Sequence, residues 1–339
     1  MLVDLKEILY NLWQRISYWF RLNPIKKATV DSLMIFPIKS FSQGFSTDKW
    51  TIDRFGLKGD RQFMLASWSK SLDRWERLQL SIYPQMFKPT VSFDDDYQRF
   101  VFKYNEKSTF SVPLNVTPEY INTHSTFGYT SQEIFEYHYG MDGYVLDKVL
   151  PSSFIEEYKL PKDTVLLYTE KGKDYLYPEI DTNGKKTKFH DYFPILIASK
   201  ESYDDVFSRV SKDAPYSTMQ SFRPNIVIKG LPAYSEDLFN DICFVTEKGK
   251  YWMDCPSHCV RCVIPNINVA TGIMDKRGRV SALMSKWRRI DKATPSTCFG
   301  VYANNLSWNY EIKAGDTLEV WSQSKKTFNF NPWDEPKKE

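Results

Sequence analysis

The sequence predicts a mainly β protein with some helix, an α+β class, divided into two domains. Two observations point to the class. Short apolar runs separated by turn residues recur along most of the chain, and 16% of the residues are aromatic, many at strand-like alternation. A third observation points to the division. A strand entered through Arg223-Pro224-Asn225 and a cysteine cluster, Cys255-Pro-Ser-His258-Cys259-Val-Arg261-Cys262, fall together in the second half, behind a polar, lysine-rich stretch at 171–188.

At 339 residues the chain can bury a sizeable core, and 42% hydrophobic with 26% charged residues is ordinary for a soluble globular protein. The net charge of +3 is too small to imply a nucleic-acid partner, and the basic residues read as scattered rather than massed. Five cysteines, three of them within eight residues, do not make a disulfide framework. They fit a reducing compartment, with at least one thiol kept for ligation or chemistry.

Residues 1–27 form the first unit. Leu2, Leu5, Leu9, Leu12, Ile16 and Trp19 share one face of a helix over 1–22, and Trp13, Tyr18, Arg15 and Arg21 suit a membrane interface. Charges interrupt the stripe, so it reads as an amphipathic targeting or membrane-associating segment that does not span. Asn23-Pro24 ends it.

Residues 28–190 form the second unit. Strands are expected at 30–37, 45–53, 62–67, 77–80, 90–93 and 100–104, with turns at 42–44, 56–60 and 94–96. That spacing suggests a β-barrel or sandwich up to about residue 110. A mixed extension follows: 130–139 and 141–150 read as helical or mixed, 165–169 as a strand and 171–188 as an exposed loop. Residues 191–325 form the third unit. It has a buried strand at 191–198, a helix capped by Ser199 that runs to about 210 with Glu201 in its first turn, and a strand at 222–228. Residues 326–339 are a polar tail.

Pro224 fixes the backbone beside Arg223, as a group binding an anion requires; an ion pair with an acid such as Asp237 is the structural alternative. Asn225 adds an amide that both donates and accepts. In the second unit, Lys39-Ser40 and the glycine-flexed turn Gly56-Leu-Lys-Gly59-Asp60-Arg61 could together grip a phosphate. The cysteine cluster admits several readings. An iron–sulfur site is set aside, because Arg261 stands before the last cysteine and only 77 residues follow Cys262. A structural zinc on Cys255, His258, Cys259 and Cys262 has the right ligand types, bunched too closely. A single thiolate, Cys262, could hold a soft metal, with Cys259 behind it and Arg261 lowering its pKa. Plain buried cysteines remain the unadorned alternative.

These residues resemble a known family. Phe222-Arg-Pro-Asn-Ile-Val-Ile, Glu236-Asp237, Cys259-Val-Arg-Cys262 and Thr271-Gly272 are similar to the MOSC domain, in particular that of the mitochondrial amidoxime-reducing component family. Phe36-Pro-Ile-Lys39-Ser40, Gly56-Leu57 and Asp60-Arg61 resemble that family's N-terminal β-barrel. Cys298-Phe-Gly300-Val-Tyr and Ile312-Lys-Ala-Gly315-Asp316-Thr-Leu resemble its end, so the likeness runs from about 28 to 321.

The resemblance implies a MOSC N-terminal β-barrel domain followed by a MOSC β-barrel, with a molybdenum cofactor (a molybdopterin) held between them. It implies reduction of N-hydroxylated compounds such as amidoximes and hydroxylamines, with electrons from NADH through cytochrome b5 and NADH–cytochrome b5 reductase. Cys262 takes the place of the molybdenum ligand. Lys39, Ser40, Arg61, Arg223, Asn225 and Arg261 take places around the cofactor, and Asp191 that of an aspartate beside the metal which would help move protons. A mitochondrial setting follows, as does the family-level association with pyridoxal phosphate. One departure lies at Tyr192-Phe193, where the family has a Thr-Ser pair: two rings replace two hydroxyl donors. Two other readings stay open, a MOSC fold without cofactor serving as a binding or structural protein at mitochondria, and a persulfide carrier using Cys262.

Overall fold

The computed structural model describes residues 23–136, 139–174 and 186–326. The helix expected over 1–22, the middle of the lysine-rich stretch and the tail beyond Lys326 lie outside the described residues.

Seven strands close a barrel. In order around it they are Ile226–Lys229, Ile195–Ser199, Cys298–Asn305, Gly249–Val260, Asp241–Thr246, Thr317–Val320 and Lys26–Ile35, and the last pairs back onto the first. Ile195–Ser199 and Ile226–Lys229 run parallel, a geometry that needs a crossover, and the helix Lys200–Val210 supplies it. Ser199 caps that helix by accepting from the Ser202 amide, and Glu201 sits in its first turn, as expected. The strand nearest the start of the chain is thus a stave of the barrel that the second half builds.

The first half forms smaller sheets against this barrel. Thr90–Asp94, Arg99–Lys103 and Thr109–Pro113 make one; Gln132–Glu136, Tyr139–Leu146, Val165–Tyr168, Phe63–Ser69 and Ile38–Lys39 make another. Late in the chain, Tyr310–Lys313 returns to pair with Lys49–Asp53. Both halves are therefore interleaved, and one apolar cluster contains Phe41 and Phe100 together with Ile197 and Phe244. The expectation of a mainly β protein with few helices holds.

Local departures have physical causes. The stretch read as helical or mixed at 130–150 is an antiparallel hairpin. A Cβ at Gly143 would lie 2.1 Å from Ile134 Cδ1, so glycine is what lets these strands approach. The strand read at 222–228 begins only at Ile226; before it, Met219–Phe222 is a helical turn. The buried strand read at 191–198 begins at Ile195, which leaves 188–193 irregular.

Gly249–Val260 pairs with Cys298–Asn305 through two register shifts, at Asp254/Ser257 and His258/Val260. Bulges break the in–out alternation of a strand. Ser257, His258 and Cys259 are consequently buried in succession. Beside them runs a buried polar belt: Arg288 pairs both carboxylate oxygens of Asp237 at 2.8 and 2.9 Å, and His258 bridges Asp291 and the Asp237 carbonyl, each at 3.1 Å.

Glu236, next to that belt, is fully buried and one of its carboxylate oxygens lacks a partner. Burial, then the charge of Asp237, raises its pKa from 4.5 to about 7. The folded state therefore keeps a proton that the unfolded chain releases. Stability from this group is complete below about pH 4.5 and declines as pH rises through 7. Glu236→Gln is expected to melt a few degrees above the parent at pH 8 and level with it at pH 5. Equal melting temperatures at both pH values would refute the assignment.

Candidate cofactor site

The loops that leave the barrel at one end meet the first half of the chain around a cavity of about 160 Å³. The eight residues that the resemblance assigns to the cofactor site line it: Lys39, Ser40, Arg61, Asp191, Arg223, Asn225, Arg261 and Cys262. They come from five separate stretches of sequence.

Backbone strain concentrates here. Nine non-glycine residues among those described have positive φ, and three line the cavity: Ser40 (54°), Arg61 (44°) and Arg223 (56°). Left-handed backbone at such residues costs about 1–3 kcal/mol each and persists where the surroundings impose it. For Arg61 the cause is local. Gly59 turns the chain at φ 84°, where a Cβ would sit 2.7 Å from Leu114 Cδ1. The Arg61 amide then donates to the Phe36 carbonyl at 2.8 Å.

Asp60, buried at 1% exposure, holds this corner together. One carboxylate oxygen accepts from the Phe36 amide at 2.6 Å. The other accepts from Arg61 Nη1, from His190 Nε2 at 3.0 Å and from Asn225 Nδ2 at 3.0 Å. Burial alone would raise its pKa, but Arg61, then His190, outweigh it and hold the carboxyl below its usual range. Burial lowers the pKa of His190 in spite of Asp60, so the imidazole is neutral and its Nε2–H donates to the carboxylate. Asn225 uses its whole amide in the framework, donating also to Met34 O and accepting from Leu196 N.

The cations are unevenly compensated. Lys39 donates to Asp191 at 2.6 Å and to the Phe189 carbonyl at 2.8 Å. Arg61 has Asp60. Arg223, though buried, donates only to the backbone carbonyls of Phe41 and Ser42. Its guanidinium and that of Arg61 lie 4.1 and 4.4 Å from the Phe36 ring centre. Burial, then Arg61, pushes the Arg223 pKa down to about 9. The pairing of Arg223 with Asp237 weighed from the sequence does not occur, because Arg288 occupies Asp237. Arg261 donates to Cys259 Sγ at 2.9 Å and to the Phe222 carbonyl at 2.8 Å, while its Nε has no partner. Two guanidiniums therefore face the cavity without a carboxylate partner among the described residues, an arrangement that favours a bound anion.

The cysteines separate. Cys255 is buried in the barrel core, Cys259 is buried under the cavity, and Cys262 alone of the five is exposed. His258 is turned to Asp291, and among the described residues no three His, Cys, Asp or Glu side chains converge as a metal site. Arg261 does not keep Cys262 ionised. Desolvation by the surrounding protein raises the thiol's pKa, and Arg261 and the Ile264 amide only reduce that rise. The physical reason is direction: the guanidinium points its hydrogen bond at Cys259.

Tyr192 and Phe193 pack against Tyr302, with ring centres 5.9 and 5.5 Å away. The two rings make one wall of the cavity and leave the wall of cations open. Burial, then the charge of Cys259, raises the pKa of Tyr302, so it keeps its proton at neutral pH. Tyr302, Asp60 and His190 were not singled out from the sequence. Asp60 and His190 carried a weak signal, each adjoining a residue that was; Tyr302 had none.

With this geometry in place, the comparisons decide the family. A model described as the MOSC N-terminal beta barrel domain matches residues 27–136, and one described as the MOSC domain matches 184–319. The chain is a MOSC-domain protein. The cavity is lined from both matched regions, and the barrel strand Lys26–Ile35 falls almost wholly in the N-terminal one. Human mitochondrial amidoxime reducing component 2 is 31% identical over 133 residues, 38% of this chain and 37% of that protein. The molybdenum cofactor sulfurase of Oryza sativa is 25% identical over 327 residues, 89% of this chain and 36% of that protein. The chain thus spans little more than a third of the curated relatives it matches. Among solved structures, the YuaD protein of Bacillus subtilis aligns over 87% of this chain and 95% of its own, at 12% identity and a TM-score of 0.35, which carries no argument about the site.

Two outcomes test the geometry of this MOSC cavity. Asp60→Ala leaves Arg61, His190 and the Phe36 amide without their shared acceptor and is expected to cost about 3–5 kcal/mol in a denaturant titration; a loss below about 1 kcal/mol would contradict the hub. In the apo-protein, iodoacetamide should label Cys262 with a pH midpoint above that of an ordinary thiol, and Arg261→Met should move it higher. A midpoint below the ordinary value would show that Arg261 does ionise the sulfur.

Proposed function

We propose that the cavity holds a molybdenum cofactor and that the protein uses it to reduce N-hydroxylated compounds of the amidoxime or hydroxylamine type. One observation carries the reading: Arg223 and Arg261, guanidiniums without carboxylate partners among the described residues, line the same cavity as the one exposed thiol, Cys262. A phosphorylated pterin matches the cations, and a thiolate is a suitable ligand for a soft metal. The names of the relatives support a molybdenum-related function in the broad sense, and those of the amidoxime reducing components support the substrate class.

In this reading the bound cofactor supplies the electron chemistry, and the chain supplies placement and charge. Lys39, Arg61 and Arg223 hold the phosphate, with Ser40 beside them. Asn225, whose amide is engaged, acts by fixing Asp60. Arg261 spans Cys259 and Phe222 and presents its unpartnered Nε. Cys262 gives up its proton on ligation, as a metal-bound thiol must; its raised pKa makes that ligation more demanding at low pH. Reduction of an N–OH bond takes two electrons and two protons and releases water. Asp191, exposed and bonded to Lys39, is placed to hold and pass a proton at its carboxylate. The wall of Tyr192, Phe193 and Tyr302 keeps water from one side. Electrons come from NADH through cytochrome b5 and its reductase, in association with mitochondria, as the resemblance implies. No described helix is long and apolar enough to cross a membrane. A pyridoxal phosphate reading finds in the cavity only Lys39, whose ammonium is bonded to Asp191 and Phe189, and it is not adopted.

A persulfide on Cys262 is the second reading, favoured by the exposure of that thiol and the length of the alignment to a molybdenum cofactor sulfurase. The test is elemental analysis of protein purified from a host that makes the cofactor. Molybdenum near one atom per chain is expected, falling at least tenfold in Cys262→Ala and in Arg223→Met. Protein free of molybdenum overturns the proposal, and a mass increase of one sulfur atom on Cys262 then selects the carrier.

A further inference from the structure

One segment contradicts the reading of scattered charge. Residues 263–297 hold seven Lys and Arg against two Asp, a net of +5 in a chain whose total is +3, so everything outside the segment is net −2. This excursion leaves from the cavity and returns to it. Cys262 and Ile264 line the cavity at its start and Ser296 at its end, and the Arg261 amide closes the neck on the Thr297 carbonyl at 2.8 Å.

The excursion is anchored from beneath. Val280 and Met284 are buried in an apolar cluster with Phe222 and Phe299. Arg288 is tied to Asp237, and Asp275 accepts from Tyr216 and Arg279. Those anchors use Asp275, Asp291, Arg279 and Arg288, which are the two acids of the segment and two of its bases. Of the other five bases, Lys276, Arg277, Lys286 and Arg289 are exposed and without an ion pair among the described residues. With them are exposed aliphatic side chains, Val263 (47%), Ile273 (66%) and Ile290 (37%). Free cations and a few exposed apolar groups in one segment make the composition that selects an acidic protein surface: the charge steers the encounter, and the apolar contact holds it.

We propose that this excursion, whose two ends line the cavity that Cys262 faces, is the docking surface for an acidic electron-donor protein. The proposal rests on the reductase reading, which requires electrons from a separate protein at that cavity.

Cytochrome b5 serves as the probe, in isothermal titration against the full chain at low salt. Binding to the parent is expected to weaken as salt rises. Arg277→Glu with Arg289→Glu should weaken it at least tenfold, and Ile273→Ser should weaken it without changing the salt dependence. Lys248→Glu is the control. Its turn lies at the start of the strand Gly249–Val260, about 35 Å from the end that meets the cavity. Circular dichroism and melting temperature show that each variant folds. Equal binding by the parent and the double variant overturns the proposal. So does loss on the double variant of binding to phosphatidylserine vesicles when cytochrome b5 binds neither protein, since the surface then meets a membrane. Molybdenum content of the same samples separates the two claims. Molybdenum present with unchanged binding in the double variant removes the docking surface alone; molybdenum absent with excursion-dependent binding removes the reductase reading alone.

Discussion

A single buried carboxylate, Asp60, is the constraint on which the cavity depends. It ends a turn of the first half of the chain. It reaches the amide of Phe36 at the end of the first barrel strand, the imidazole of His190 in the irregular approach to the second, and the amide of Asn225 before the third. A carboxylate with so many donors is stable without water, and it is the group that makes a half-buried Arg61 tolerable. Each donor belongs to a different stretch of the chain, so the same hydrogen bonds that satisfy the charge also set the walls of the cavity.

The rest of the cavity follows from what Asp60 does not neutralise. Arg223 stands on the other approach to the Phe36 ring with only backbone carbonyls for company, and Arg261 reaches a sulfur and a carbonyl. Folding places the Arg223 guanidinium there at a free-energy disadvantage, visible in its depressed pKa. Positive φ at Ser40, Arg61 and Arg223 belongs to the same pattern of local strain held in place by the surrounding barrel. On the facing wall, Tyr192 and Phe193 fold onto Tyr302 instead of presenting hydroxyls. That substitution changes the chemistry of one wall and leaves the cationic wall as it is.

The interleaving of the halves ties the walls of the site to one another. Lys26–Ile35 closes the barrel of the second half, and Tyr310–Lys313 completes a sheet of the first. Neither half can shift without breaking a row of backbone hydrogen bonds. The bulged end of Gly249–Val260 then aims Cys259 and Cys262 at a cavity whose other wall is carried by the opposite half.

By itself the sequence determined the mainly β class and the capped helix after Ser199, and it pointed to eight of the residues around the cavity. Alternation, capping and punctuation are local, and the motif residues lie in short continuous stretches. Only the tertiary structure decided which of them act as framework and which face a ligand. Asn225 reads as a contact residue, yet its amide is consumed by Met34, Asp60 and Leu196. Arg261 adjoins Cys262 in the chain, but a bulged strand end turns its guanidinium to Cys259, so desolvation governs the Cys262 thiol. The hairpin at 132–146 could be read as helix until Ile134 met Gly143 across the strands. Hydrogen-bond partners and burial are set by residues distant in sequence, and no spacing along the chain reports them.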